Sequence, residues 1–246
     1  MNNLYISIVK NIICNKESQK KILDVGCGNG DMVQEFINNK HIAYGIDVEF
    51  KPGKYTSQLE ANNLIRKIKT DSGDRAGVLS NNSTYQWPIE NDSMDVVCSR
   101  AVIEHVVNLD EFAQENNRVL KSNGICIHYF PSKFSLIEPH VGIPFGAILH
   151  FKMWFVICCY SGLCFKKFRK NPMDAYEYIG SSTEYRNIHE ILKIFNNQNL
   201  ILDKDMTHKI MAFSSNNLFK TLSRLSFMVM IFGFLRSKCL VFKKQI

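Results

Sequence analysis

Lys21-Ile22-Leu23-Asp24-Val25-Gly26-Cys27-Gly28-Asn29-Gly30-Asp31 is the stretch on which the fold turns. A short apolar run enters three glycines at alternate positions, and a helical pattern follows at once. Within residues 31–39, Met32, Val33, Phe36 and Ile37 recur at the spacing that places them on one helix face. Strand, glycine turn and helix in that order make the first unit of a sheet with helices on both faces. A ligand at the carboxyl end of such a strand must touch backbone. Glycine removes the Cβ that would block it and permits the tight turn. The spacing is G-x-G-x-G with an acid, Asp24, two residues ahead. It is not the G-x-G-x-x-G that brings a helix N-terminus to a pyrophosphate. The glycines alone are also compatible with a purely structural turn.

Working outward, residues 42–47 read as a second strand ending in Gly45-Ile46-Asp47. A carboxylate at that strand end can accept hydrogen bonds from both ribose hydroxyls, which points to a nucleoside without saying which. Residues 59–68 read as a helix through Leu59, Leu64, Ile65 and Ile68, residues 76–79 as a weak third strand, and residues 94–99 as a fourth. Asn108, with Glu111 three residues on, suits the cap of a helix whose stripe is Leu109, Phe112, Ala113, Val119 and Leu120. Asn123-Gly124 is expected to end that helix. Residues 125–130 follow as a fifth strand, stopped by Pro131. The rhythm then breaks at residues 132–180, which hold three prolines and an apolar stretch at 148–165. A helix returns at about 182–196, a strand at 200–202, a strongly apolar run at 218–235 and a last strand at 239–242.

Four segments in register resemble the class I S-adenosylmethionine-dependent methyltransferases. The first is the run from Ile22 to Gly30. Trp87-Pro88-Ile89-Glu90-Asn91-Asp92-Ser93-Met94-Asp95-Val96-Val97 is similar to the family's turn and fourth strand. Ser99-Arg100-Ala101-Val102-Ile103-Glu104-His105-Val106 resembles the helix after it, and Arg118-Val119-Leu120-Lys121-Ser122-Asn123-Gly124 the helix end before strand five. Together they cover about residues 20–131. The resemblance implies an α/β fold: a doubly wound, seven-stranded, mostly parallel sheet, here with an insertion after strand five. It divides a single domain into a cofactor core at 20–131, an acceptor-side insertion at 132–180 and C-terminal elements at 181–246. It implies S-adenosylmethionine as cofactor, with Asp24, Gly26 and Gly28 lining the methionine end, Cys27 and Gly30 in the same cofactor-binding loop, and Asp47, with adjoining Val48, holding the ribose. Ser99 and Arg100 would lie under the methionine part. The family often places an acid shortly before the Trp-Pro turn to meet the adenine amino group. This chain has Ser80-Asn81-Asn82-Ser83-Thr84-Tyr85 there, and Asn82 is the candidate to accept that bond.

The acceptor side is expected in the loop after strand five, where Glu138-Pro139-His140 and Gly142-Ile143-Pro144-Phe145 set two ionisable groups in an apolar, proline-stiffened segment. His140 is the candidate base near neutral pH, with Glu138 orienting it. Glu104 and His105 are expected to orient their own loop. No metal site is expected, because Cys158, Cys159 and Cys164 cluster without zinc-finger spacing. The loop resembles small-molecule and glycan-pathway methyltransferases, so a small-molecule, sugar or lipid-linked acceptor, methylated on oxygen, is the expected substrate. An RNA methyltransferase and a catalytically silent cofactor-binding subunit stand as alternatives.

Charge sharpens the picture of the C-terminal part. Residues 1–150 carry 15 Lys/Arg and 17 Asp/Glu, whereas residues 151–246 carry 15 Lys/Arg and 6 Asp/Glu, so the net +7 belongs to the second part. Apolar runs beside basic clusters at 148–170 and 225–244 are the combination that meets an anionic membrane surface. Neither suits a span, which needs about 20 apolar residues. Without a secretory pattern at the N-terminus, a cytoplasmic protein is expected, with peripheral membrane contact through these two runs.

Overall fold

The computed structural model describes residues 2–13, 19–68, 86–214 and 216–245. The order is α1 (Asn2–Ile13), β1 (Lys21–Val25), α2 (Asp31–Asn38), β2 (Ile42–Asp47), α3 (Thr56–Ala61), β3 (Ile65–Lys67) and β4 (Met94–Arg100). Then come α4 (Leu109–Val119), β5 (Leu120–Pro131), α5 (Lys152–Tyr160), α6 (Pro172–Ser182), α7 (Ile188–Asn197) and β6 (Leu200–Asp205). α8 (Thr207–Ala212), α9 (Asn217–Leu222), α10 (Ser226–Leu235) and β7 (Ser237–Lys244) complete the chain. One sheet holds seven strands in the order β3-β2-β1-β4-β5-β7-β6. Every neighbouring pair is parallel except those made by β7, which runs antiparallel to β5 and β6.

Strand order reverses beside β1: the chain steps outward to β2 and β3, then returns to β4 on the other side. That reversal opens a crevice at the carboxyl ends of β1 and β4, the place where open α/β sheets hold ligands. The central strands are buried on both faces because successive side chains point to opposite sides. Leu23, Val25, Val97 and Phe242 pack on one face with Phe112 of α4 and Phe195 of α7. Ile22, Val96, Cys98 and Ile127 pack on the other with Tyr5, Ile8 and Val9 of α1 and Val33 and Phe36 of α2. A third cluster, Val141, Ile143, Phe155, Cys158, Cys159, Ala175 and Ile179, gives the 132–182 segment its own small core.

Arg118 explains why two of the quoted sequence segments travel together. Its guanidinium donates to the carbonyls of Ile89 (2.8 Å) and Trp87 (3.1 Å), and Glu115 accepts the Trp87 backbone N–H at 2.6 Å. The end of α4 thereby fixes the turn that launches β4.

Several local expectations are corrected. Residues 59–68 are not one helix: α3 stops at Ala61, and Ile65 begins β3, which pairs Gly45↔Ile65. Asn63, left-handed at φ 57°, makes the break. Asn108 sits at the start of α4 but makes no side-chain cap bond. α4 ends at Val119, before Asn123-Gly124, and the left-handed residue is Asn123 (φ 63°) rather than the glycine. β5 pairs Met94↔Leu120 and then Val96↔Ile125, so the intervening residues form an irregular bulge. α1 is an element the sequence reading missed; Tyr5 Oη donates to the Ile127 carbonyl at 2.7 Å across the sheet. The third strand expected at 76–79 and the candidate Asn82 lie outside the described residues.

Candidate active site

Gly26, Gly28 and Gly30 are all left-handed, at φ 74°, 55° and 79°. Their reasons differ. A Cβ on Gly26 would lie 2.3 Å from Val102 Cγ2, and one on Gly30 would lie 2.5 Å from Leu59 Cδ1, so packing excludes side chains at both. A Cβ on Gly28 would meet only Lys51 Cδ, at 3.9 Å. The space over Gly28 is open, and it is the position where a ligand gains by the missing side chain. Gly28 N donates to Asp47 Oδ2 at 2.7 Å, which brings the carboxyl end of β2 against the loop.

Asp24 is buried, and among the described residues its carboxylate makes no side-chain hydrogen bond. Burial, with the nearby Asp47 charge, raises its pKa to about 8, against the opposing charge of Arg100. Asp47 is also raised, by burial first, with backbone N–H groups of Gly28, Glu49 and Val48 opposing. Two desolvated acids facing an open glycine lack positive charge. The ammonium and sulfonium of S-adenosylmethionine are the kind of group that would relieve them, so the residues fit that cofactor.

Cys27 is buried under Gly45, where an added Cβ would be 2.8 Å from its Cβ and Sγ. Burial pushes its thiol far above the ordinary range, so it is inert packing. Val48 packs half-buried against the core. Ser99 is fully buried, with its hydroxyl 2.7 Å from His128 Nδ1 on the next strand. That bond commits its side chain to the core. His128 is held neutral, its pKa driven to about 3 by burial. Arg100 is half-buried at the tip of β4, followed by Ala101 at φ 55°, a left-handed alanine at the crevice.

On the acceptor side the structure brings five ionisable side chains together. Glu138 is 0% exposed. Its Oε2 accepts the backbone N–H groups of His140 (2.7 Å) and Val141 (2.8 Å), and its Oε1 accepts Tyr185 Oη (2.6 Å) and pairs with His140 Nδ1 at 2.7 Å. Burial alone would raise the carboxyl, but the bonds from His140, Tyr185 and Val141 outweigh it and hold the pKa below its ordinary value. His140 Nε2 lies 3.1 Å from His105 Nε2, and His105 Nδ1 faces the Ser182 carbonyl. Glu104, 3% exposed, completes the group; burial lifts its carboxyl to about 7. The backbone N–H of Glu184 donates to the Glu104 carbonyl at 2.6 Å, so the chain after α6 locks the 3-10 turn Ile103–His105 in place.

Glu138 and His140 therefore meet as the sequence reading paired them. Glu104 and His105, assigned there to loop support, face them across 35 residues of chain, and Tyr185 was missed altogether. The Glu104-His105 pair just beyond the strand-four tip was the available signal; nothing local marks Tyr185. Lys51 links the two halves: it overlies Gly28, and its charge adds to burial in lowering the His105 pKa.

Comparison with known proteins agrees with this geometry. The methyltransferase domain family model matches residues 23–128. An uncharacterised protein of Methanocaldococcus jannaschii is 32% identical over 127 residues, covering 51% of this chain and 43% of that relative. Thus the chain matches less than half the length of that curated relative. Among solved structures, an S-adenosylmethionine-dependent methyltransferase from Mesorhizobium loti superposes with a TM-score of 0.54 at 10% identity, over 92% of each chain. A Haemonchus contortus phosphoethanolamine N-methyltransferase, solved with S-adenosylhomocysteine, gives 0.54 at 14% identity, over 99% of this chain and 53% of that one. A Haloferax volcanii complex of a methyltransferase with its Trm112 activator gives 0.52 at 14% identity, over 100% and 92%. At these identities the solved structures speak for the fold. With the methyltransferase domain match over residues 23–128, the glycine loop and the β3-β2-β1-β4-β5-β7-β6 sheet, this chain has the fold of the class I S-adenosylmethionine-dependent methyltransferases.

Proposed function

We propose that the chain transfers a methyl group from S-adenosylmethionine to an oxygen of a small-molecule, sugar or lipid-linked acceptor. The observation that carries this is the adjacency of two sites: the open glycine with its two acids, and the Glu138-His140-His105-Glu104 group across Lys51. The cofactor supplies a methyl group on a positively charged sulfur. Asp24 and Asp47 hold the two ends of its nucleoside and amino-acid parts. His140, with its Nδ1 fixed by an ionised Glu138, presents Nε2 to the acceptor side and is the residue that prepares the acceptor. Screening extracts for a compound that gains one methylene in mass, with S-adenosylhomocysteine formed in equal amount, tests the activity. Absence of both with every acceptor class would favour the silent-subunit alternative.

Asp24 gives this reading a pH signature. The ionised carboxylate is the form that attracts the cofactor's ammonium, whereas the ligand-free protein keeps Asp24 protonated below about pH 8. Binding must then expel a proton, so affinity weakens as pH falls. Titration calorimetry with S-adenosylhomocysteine should show up to about tenfold weaker binding per pH unit between pH 8 and 6. Asp24→Asn should bind weakly with a flat profile over that range. A flat wild-type profile removes Asp24 from the ammonium.

A lipid-linked acceptor is favoured by one surface. No helix among the described residues is long and apolar enough to cross a membrane. Yet α10, Ser-Phe-Met-Val-Met-Ile-Phe-Gly-Phe-Leu, buries only Gly233, and Phe227 is 65%, Met230 60% and Phe234 51% exposed. The helix adjoins the acceptor loop: Leu136 N donates to the Leu235 carbonyl at 2.9 Å, and the Phe134 and Phe234 rings stack at 4.6 Å. Met153, Ile157, Tyr160 and Leu163 are exposed on and just after α5, next to Lys166, Lys167, Arg169 and Lys170. Apolar side chains beside basic ones bind anionic headgroups and then insert. The protein should float with phosphatidylserine-rich vesicles at low salt and less at high salt, and Phe227→Ser/Met230→Ser should stay at the bottom. Wild-type protein that never floats leaves a freely diffusing acceptor as the substrate.

A further inference from the structure

We infer that Glu104, His105 and His140 form a binding site for one divalent transition-metal ion of the Zn²⁺ type. Their ligand atoms all lie within 4.8 Å of one another. Tetrahedral bonds of about 2.1 Å put ligand atoms about 3.4 Å apart, so the widest pair needs to close by about 1.4 Å, within reach of a rotation of the Glu104 side chain. Two imidazoles with one carboxylate select Zn²⁺, Co²⁺ or Mn²⁺ over the all-oxygen preference of Mg²⁺ and Ca²⁺.

Two independent features point to an ion and not simply to a cluster. The first is the tautomers. Glu138 accepts from two backbone N–H groups and the Tyr185 hydroxyl, an acceptor's set of partners, so His140 Nδ1 is the donor in their 2.7 Å contact. The Ser182 carbonyl can only accept, so His105 Nδ1 donates too. Both Nε2 atoms are left with lone pairs, and they face each other at 3.1 Å. That contact is repulsive unless a cation or a shared proton sits between them. Histidine ligands are held by this kind of outer partner, a carboxylate on one ring and a backbone carbonyl on the other. The second feature is Glu104. Both carboxylate oxygens are buried without a hydrogen-bond partner. An unsatisfied buried carboxylate is costly, and a shared proton between the histidines leaves it unsatisfied. A metal ion satisfies both imidazoles and the carboxylate at once.

The ion changes what His140 does. As a ligand it holds the cation that binds and acidifies the acceptor's hydroxyl, instead of taking that proton itself. This role rests on the methyl-transfer reading; the binding does not, and the two are measured separately. The protein is stripped with chelator, then titrated with Co²⁺ while its visible d–d absorption is followed, and with S-adenosylhomocysteine by calorimetry. A single Co²⁺ per chain, displaced by Zn²⁺, is expected. His105→Ala/His140→Ala and the near-isosteric Glu104→Gln should lose affinity by about 100-fold or more, and Glu138→Gln, acting only through His140, by about 10–100-fold. S-Adenosylhomocysteine binding in the same variants should stay at the wild-type value, which shows that they fold. Wild-type protein that takes up no Co²⁺, or binding retained in the double histidine variant through the buried cysteines, overturns the site. Loss of S-adenosylhomocysteine binding by the wild type would instead overturn the cofactor reading and leave the metal result standing.

Discussion

Gly28→Val should abolish cofactor binding while leaving a folded protein. Gly28 has φ 55°, and its added Cβ would point into space that contains only Lys51 Cδ at 3.9 Å. Valine there suffers twice. A β-branched residue is a clear outlier in the left-handed region, at a cost of about 1–3 kcal/mol. Its two methyl groups then occupy the volume that the ligand needs against backbone. The strain is small enough to tolerate in a marginally stable domain, since native domains hold about 5–15 kcal/mol. Calorimetry should therefore show S-adenosylhomocysteine binding to wild type and not to Gly28→Val, with NAD binding to neither. Gly26→Ala is the informative contrast. Its Cβ would stand 2.3 Å from Val102 Cγ2, so it should lower the melting temperature more than Gly28→Ala does. Undiminished binding by Gly28→Val would place the cofactor away from this loop.

The same glycines show how far the sequence carries. Their spacing after a strand marks the loop, because a strand–glycine–helix passage is a local property of a dozen residues. It does not reveal that Val102 and Leu59, distant in sequence, account for Gly26 and Gly30 while Gly28 alone stays open. The parallel core followed from local signals of the same kind. Boundaries failed where two patterns overlapped: Leu59, Leu64, Ile65 and Ile68 fit a helix stripe, yet an extended β2 neighbour recruits Ile65 into a strand. Asn123 took the left-handed turn beside an available glycine because asparagine tolerates that conformation and β5 begins earlier than the helix pattern suggests.

The acceptor site was half legible for a different reason. Glu138 and His140 are two residues apart, so their pairing is local. His105 meets His140 only because the 3-10 turn after β4 and the loop after β5 emerge on the same edge of adjacent strands, paired Arg100↔Tyr129. Tyr185 arrives from the chain after α6, and no periodicity reports it. α10 is an opposite case: its apolar run was plain, but exposure is a tertiary property, and a buried helix would carry the same letters.

His140→Ala should lower the methyl-transfer rate by about 10²–10⁴-fold, with S-adenosylhomocysteine affinity unchanged. The residue stands at the meeting point of everything on the acceptor side. Its Nδ1 bonds Glu138 and its Nε2 faces His105, and among the described residues no other side chain spans the two. Removing the ring takes away the group that prepares the acceptor, whether by accepting its proton or by holding an ion. The cofactor contacts of Gly28, Asp24 and Asp47 do not involve it. The fold should survive, because Glu138 keeps the Tyr185 hydroxyl and the Val141 and residue-140 backbone N–H groups as donors. Tyr185→Phe is the graded companion. It deletes the bond to Glu138 and the 3.3 Å contact with His140 Nδ1 but leaves the His140 ring in place, so its loss should be smaller and should fall on kcat more than on KM. A His140→Ala protein that turns over at the wild-type rate, with an acceptor that wild type methylates, would return the whole Glu138-His140 pair to loop packing.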